Sequence, residues 1–249
     1  MGRRVIITGG ASGIGAVMAA RFAALGDRVA VCDLDAEALV TCPAEIAMRA
    51  DVTSQSDMEA FLGHVEAEWE GADVDLSNAG IGGPAGPIET LDFEGWRATI
   101  ASSLDGAFHT CAWAARVMKA QGSGVLLLTS STSGLWGVPN RSPYVAAKWG
   151  IVGLMKTLAM ELGPHGIRVN ALCPGAVEGP RMERVLAKEA AAAGVDIETQ
   201  RGLYADGVSL RSWVSADDIA DTAIFLASDA ARHISGQAMA IDGHTERMT

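Results

Sequence analysis

Two tyrosines and four cysteines are all that 249 residues carry of those types. Cys32, Cys42, Cys111 and Cys173 form no CxxC pair and share no metal-ligand spacing with the five histidines. Neither a disulfide framework nor a metal site is therefore expected, and buried free thiols are. Also missing is any apolar run of about 18 residues, the length of a membrane-spanning helix. MGRRVIITGG enters a strand pattern at once, so neither a signal nor a transit peptide is expected, and the chain reads as cytoplasmic with no membrane partner. Basic charge is in deficit, with 19 Lys and Arg against 30 Asp and Glu and a formal net charge of −11. Nucleic-acid surfaces need clustered cations, so no nucleic-acid partner is expected. Any anionic ligand must be held by local groups against the overall field.

What the chain has is apolar residues, 49% of the total, enough for a large core. Short β-branched or aliphatic runs recur at 3–8, 27–33, 45–52, 73–80, 123–130, 167–174 and 237–242. Amphipathic stretches at 13–25, 54–69, 95–119, 144–163 and 216–227 lie between them. This alternation predicts an α/β fold in one domain, a Rossmann-like doubly wound parallel sheet of about seven strands with helices on both faces. The irregular stretch 176–214, with AKEAAAAG inside it, is too long for an ordinary connection. It reads as a helical lid over a site, or as a structural insertion.

VIITGGASGIG sets a glycine-rich turn between the first strand and the first helix. Gly9, Gly13 and Gly15 allow close backbone approach, and the helix that follows, through Ser12 and Ile14, points its first amides at the same place, which suits a pyrophosphate. Such a turn can also serve only to pack a helix on a strand. Asp33 ends the second strand pattern, where a carboxylate can accept hydrogen bonds from the ribose hydroxyls of NAD and would repel the extra phosphate of NADP. Ser12 and Leu34 are neutral, so no nearby cation would hold that phosphate, and NAD is the expected cofactor. A plain helix-capping aspartate is the alternative.

In SPYVAAKWG, Tyr144 and Lys148 are one helical turn apart and share a face. An ammonium beside a phenol favours the phenolate, so the pair is suited to moving a proton. Upstream, LLLTSSTSG ends an apolar strand in hydroxyls, among them Ser131, at the end of a parallel strand where ligands bind. Serines there could equally just terminate the strand.

Together TGGASGIG at 8–15, Asp33, DV at 51–52, SNAG at 77–80, SS at 130–131, YVAAK at 144–148, RVNALCPG at 168–175 and ISGQAMAIDG at 234–243 resemble the short-chain dehydrogenase/reductase family. The resemblance runs over essentially the whole chain. It implies that Tyr144 is the general acid/base, that Lys148 lowers its pKa and binds the nicotinamide ribose, and that Ser131 polarises the substrate oxygen. By the same resemblance Asp51 and Val52 line the adenine pocket, Asn78, Ala79 and Gly80 border the cofactor, and Pro174, Gly175 and Val177 lie along the nicotinamide. Three positions depart from the family pattern. Ser103 stands where an asparagine usually supports a water in the proton relay, which implies a rewired relay. Ser77 replaces an asparagine, and Gly179 replaces a threonine that often holds the carboxamide.

The activity implied is NAD(H)-dependent interconversion of a secondary alcohol and a ketone. The alternatives are an NADPH-dependent ketone reductase and a catalytically weak dinucleotide-binding sensor or scaffold. Segments 134–141 and 178–186 and the rest of the lid to Trp213 are the expected substrate walls. Trp136 and Met182 supply apolar surface there, and Arg141, Arg181 and Arg184 could meet an acidic or hydroxylated small molecule or simply be solvated. In resembling proteins the counterparts of helices 95–119 and 144–163 pack across subunits, so a homotetramer is expected.

Overall fold

A computed structural model describes residues 2–246. Seven strands, β1 (Arg4–Thr8), β2 (Arg28–Asp33), β3 (Ile46–Arg49), β4 (Val74–Ser77), β5 (Gly124–Thr129), β6 (Ile167–Pro174) and β7 (Ala238–Ile241), form one sheet in the order β3-β2-β1-β4-β5-β6-β7. Every pairing is parallel. All seven lie within or against the runs read from the sequence. Nine α-helices are described: α1 (Gly13–Ala24), α2 (Ala36–Val40), α3 (Gln55–Trp69), α4 (Phe93–Ile100), α5 (Gly106–Gln121), α6 (Ser142–Leu162), α7 (Pro180–Ala193), α8 (Ile197–Asp206) and α9 (Ala216–Ala227).

Burial on both faces explains why the central strands read as unbroken apolar runs. In β1 and β2 alternate side chains enter opposite layers. Ile6, Ala30 and Cys32 face α3, α5 and α6, while Val5, Ile7, Val29 and Val31 face α1 and α9. Phe61 in the first layer and Phe22 in the second are fully buried, each contributing about 2–3 kcal/mol of transfer free energy. Helix ends follow local chemistry. The Ser54 hydroxyl caps α3 by accepting from the Asp57 amide, and Ser215 and Asp218 form a reciprocal capping box at α9.

Two elements differ from the sequence reading. The stretch 95–119 is not one regular helix, because residues Ala101–Asp105 form a π-helical turn between α4 and α5. The run 45–52 stops being a strand at Arg49, since the Asp51 amide turns away to bond the Asp57 carboxylate at 3.0 Å. Cys32, Cys111 and Cys173 are buried free thiols, whereas Cys42 stays partly exposed. No helix among the described residues is long and apolar enough to cross a membrane.

Strand order reverses between β1 and β4, so the loops leaving their carboxyl ends diverge and open a crevice. The glycine turn leaves β1 there, SNAG leaves β4, and the serine cluster leaves β5. On the far side the stretch 176–214 closes on itself at a neck. Val177 bridges Val214, the Glu178 amide bonds the Val214 carbonyl at 2.9 Å, and the Val214 amide bonds the Ala176 carbonyl at 3.2 Å. Between the two ends, α7 and α8 bury Leu186 and Ala190 and are joined by Glu189, which accepts from the Tyr204 hydroxyl at 2.8 Å and the Gln200 amide at 3.1 Å.

Candidate active site

At the end of β1 the backbone of Gly9 has φ +60° and that of Gly13 +54°, a region costly for residues with a Cβ. A Cβ on Gly15 would lie 2.1 Å from the Gly9 carbonyl oxygen, so only glycine lets α1 start this close to β1. Gly13, by contrast, faces open space, with nothing within 4 Å of a Cβ built on it. The Ser12 side chain makes no cap bond at the start of α1, which leaves the first-turn amides, including that of Ile14, without a side-chain acceptor. An open glycine cradle at an uncapped helix start fits a pyrophosphate.

Asp33 closes one side of this cradle. One carboxylate oxygen accepts the Ala11 amide at 3.0 Å and the other the Asp35 amide at 3.1 Å. The group is therefore braced between the glycine turn and the chain beyond β2, with lone pairs left for a ligand. Asp51 is engaged in its own turn, where one oxygen accepts both the amide and the hydroxyl of Thr53 at 2.8 Å. Val52 is buried against Gly106.

Asn78 has a structural task that its motif did not reveal. Its amide nitrogen donates to the Thr8 and Gly9 carbonyls at 3.1 and 3.2 Å, and its amide oxygen accepts from Thr129 at 3.2 Å. The Thr8 hydroxyl accepts the amides of Asn78 and Ala79 at 3.0 and 3.1 Å. Thr8, Asn78 and Thr129 thus fasten the ends of β1, β4 and β5 together and set the crevice width. Sequence reading missed both threonines, and their only signal is that each is the last residue of an apolar strand. On the opposite wall the Gly175 amide bonds the Ile241 carbonyl at 2.9 Å, which holds Pro174 and Gly175 against β7, and Val177 sits at the neck of 176–214.

At the reacting end Ser131 is nearly buried beyond β5, and its oxygen accepts the Ser133 amide at 3.1 Å. Ser130 faces away and donates to the Lys148 carbonyl at 2.8 Å, so of the two serines only Ser131 is directed at the tyrosine. Lys148 is buried, donates to the Thr129 carbonyl at 2.8 Å, and holds its ammonium 5.6 Å from the Tyr144 ring centroid. Burial alone would raise the Tyr144 pKa. The Lys148 ammonium, the Arg181 guanidinium, the Ser131 hydroxyl and the Arg141 guanidinium together bring it below the ordinary tyrosine value. Burial lowers Lys148 as well.

Ser103 lies in the π-helical turn, a distortion that often marks functional positions. It is buried, and its hydroxyl has no hydrogen-bond partner. A Cβ on Gly80 would meet the Ser103 hydroxyl at 2.8 Å and the Lys148 ammonium at 3.3 Å, so the two polar groups flank this glycine from the same side. Among the substrate-wall residues, Arg141 and Arg181 stack near the Tyr144 ring, Arg184 is exposed, Met182 is half-buried, and the carbonyl of exposed Trp136 accepts from the Trp149 indole at 3.4 Å. Gly179 has φ +141° and is the residue before α7, a conformation that the family's threonine would adopt only under strain.

Comparison with known proteins gives the same outline. A family model described as enoyl-(acyl carrier protein) reductase matches residues 9–244. The chain is 34% identical to a D-beta-hydroxybutyrate dehydrogenase of Cupriavidus necator, over 97% of this chain and 97% of that protein. Its fold superposes on the crystal structure of levodione reductase with a TM-score of 0.89 at 32% identity, covering 97% of this chain and 96% of that one. An NAD+-bound xylitol dehydrogenase superposes with a TM-score of 0.90 at 26% identity, covering 96% and 97%.

Proposed function

The chain belongs to the short-chain dehydrogenase/reductase family, and on that premise we propose that it is an NAD-dependent oxidoreductase interconverting a secondary alcohol and a ketone. The observation that carries the reading is the grouping of Ser131, Tyr144 and Lys148 at the carboxyl end of β5, with a buried unpartnered Ser103 on the same side of Gly80 as the Lys148 ammonium. A nicotinamide bound along Pro174, Gly175 and Val177 would accept or donate the hydride. The side chains handle the proton and the oxygen. Ser131 donates a hydrogen bond to the substrate oxygen, and Tyr144, held toward its phenolate by neighbouring cations, takes the hydroxyl proton during oxidation and returns it during reduction. Lys148 uses one of its three donors on Thr129 and keeps two, enough for a ribose hydroxyl and a water. Ser103 serves that water in place of the family's asparagine.

Asp33 selects the dinucleotide. Its braced carboxylate suits two ribose hydroxyls and opposes a phosphate at the same place, and the NAD+ carried by the xylitol dehydrogenase relative agrees with this choice. Asp51 and Val52 border the adenine, and Asn78, Ala79 and Gly80 the middle of the cofactor. The segment 176–214 acts as a lid hinged at the Val177–Val214 neck.

The test is a panel of secondary alcohols and ketones run in both directions with each dinucleotide, followed by the absorbance of the reduced nicotinamide. We expect kcat/KM with NAD+ to exceed that with NADP+ by about 100-fold, and Asp33→Asn to remove most of the gap. A preference for NADPH would make the protein a ketone reductase of the other type. NADH binding without turnover on any substrate would make it a sensor.

A cytoplasmic homotetramer completes the proposal. Phe108 on α5 and Trp149 and Met160 on α6 are exposed, with Met160 81% accessible, a cost that subunit packing along these helices would remove. Light scattering at micromolar concentration should give four times the chain mass, and a monomer would overturn the assignment.

A further inference from the structure

Arg141, immediately before α6, and Arg181, in the first turn of α7, come from separate segments and meet over one ring. Their guanidinium carbons lie 5.3 and 5.9 Å from the Tyr144 ring centroid. A Cβ on Gly82 would stand 3.5 Å from a terminal nitrogen of Arg141 and 3.3 Å from one of Arg181, so the two forks share a corner. Lys148 approaches the same ring, which makes three cations around one phenol.

Neither arginine forms a salt bridge among the described residues, although acids outnumber bases in the chain. Six other arginines are paired with acids, as Arg3 is with Asp27, Arg4 with Asp73 and Arg201 with Glu183, and what sets Arg141 and Arg181 apart from the remaining unpaired ones is that both stand over the same ring. Like charges gathered this closely repel unless an anion joins them, and the phenolate supplies only one negative charge. Guanidinium forks match the paired oxygens of a carboxylate or sulfonate, which a lone ammonium does not. Both forks also stand beside the ring whose hydroxyl moves the proton, so the anion they hold lies only a few bonds from the reacting carbon.

We propose that Arg141 and Arg181 form an anion clamp, and that the substrate is a short hydroxy acid or its keto counterpart, with a carboxylate or sulfonate close to the carbon that bears the oxygen. This narrows the oxidoreductase reading above and rests on it. The competing role for the arginines, tuning the phenol alone, makes a different prediction for uncharged substrates.

The experiment follows NAD+ reduction with lactate, β-hydroxybutyrate and hydroxypropanesulfonate, against the methyl esters of the two acids. It uses the wild type, Arg141→Met, Arg181→Met and the corresponding lysine variants. The wild type should prefer at least one anion over the uncharged esters by about 30-fold or more in kcat/KM, the worth of a charge-assisted contact. Each methionine substitution should collapse that ratio, chiefly through KM for the anion, and lysine should restore part of it. Whether carboxylate or sulfonate wins identifies the anion.

Parallel loss on charged and uncharged substrates, with the acid limb of the pH profile moved upward, would overturn the clamp in favour of phenol tuning. A wild type indifferent to charge would overturn it as well while leaving the oxidoreductase reading intact. Absence of turnover on every alcohol would instead sink the oxidoreductase reading. The clamp is then judged by binding: acetoacetate should bind the NADH-loaded protein more tightly than methyl acetoacetate, read by tryptophan fluorescence, and equal affinities would refute it.

Discussion

Tyr144→Phe is expected to bind NADH as the wild type does and to turn over substrate at least about 1000-fold more slowly. The substitution removes one oxygen and keeps the ring. The stacking of Arg141, Arg181 and Lys148 on that ring therefore persists, and the fold has no reason to change. On the proposed reading, what disappears is the hydroxyl that exchanges a proton with the substrate oxygen. Ser131 cannot replace it, because an ordinary hydroxyl stays protonated throughout the accessible pH range.

The pH dependence follows from the same group. Oxidation needs the phenolate, so its kcat/KM should rise with pH and level off above a pKa lower than that of free tyrosine. Fluorescence titration of NADH and steady-state rates on the variant separate binding from chemistry. Retained turnover would mean that another group is the base.

The second large effect concerns stability. Asp75 lies in the middle of β4, 1% exposed, with one oxygen accepting from the Ser77 hydroxyl at 3.0 Å and the other without any partner. Ser77 in turn shares a 2.5 Å hydrogen bond with Thr110. Burial pushes the Asp75 carboxyl up to about 7 against the weak opposing effect of Ser77. In the unfolded chain it titrates near 4. The folded state therefore holds the proton more tightly, and the stability associated with it is complete below about pH 4 and lost as pH rises to about 7. The difference amounts to about 4 kcal/mol at most.

Asp75→Leu should remove this dependence. Urea unfolding at fixed protein concentration should show the variant gaining on the wild type by about 2–4 kcal/mol between pH 4 and pH 8. Only the difference between the two proteins carries the result, because other carboxylates destabilise both at low pH. A difference that does not change with pH would refute a buried protonated Asp75.

Much of this protein is legible along the chain. Strands β1, β2, β5 and β6 announce themselves because burial on both faces demands unbroken apolar runs, and the glycine turn because Gly9, Gly13 and Gly15 meet strict backbone requirements. Tyr144 and Lys148 are legible as a pair because one helical turn joins them. The π-helical turn at Ser103 was not visible, since ASSLDGAF reads as part of one continuous helical stretch. Nor was the buried state of Asp75, because nothing in DVDLSNAG tells its two acids apart, Asp73 paired with Arg4 at the strand end and Asp75 buried inside.

The sequence alone determined the alternation of elements, the glycine turn, Asp33 at the end of β2 and the one-turn spacing of Tyr144 and Lys148, all of which depend on neighbours along the chain. Tertiary structure alone decided that Ser130 is tied to the Lys148 carbonyl, that Thr8, Asn78 and Thr129 tie three strand ends together, and that Arg141 and Arg181 meet unpaired over Tyr144. The physical reason is range. Backbone conformation and hydrophobic periodicity act over a few residues, whereas charges and hydrogen bonds act through space, between segments that only the wound sheet brings together.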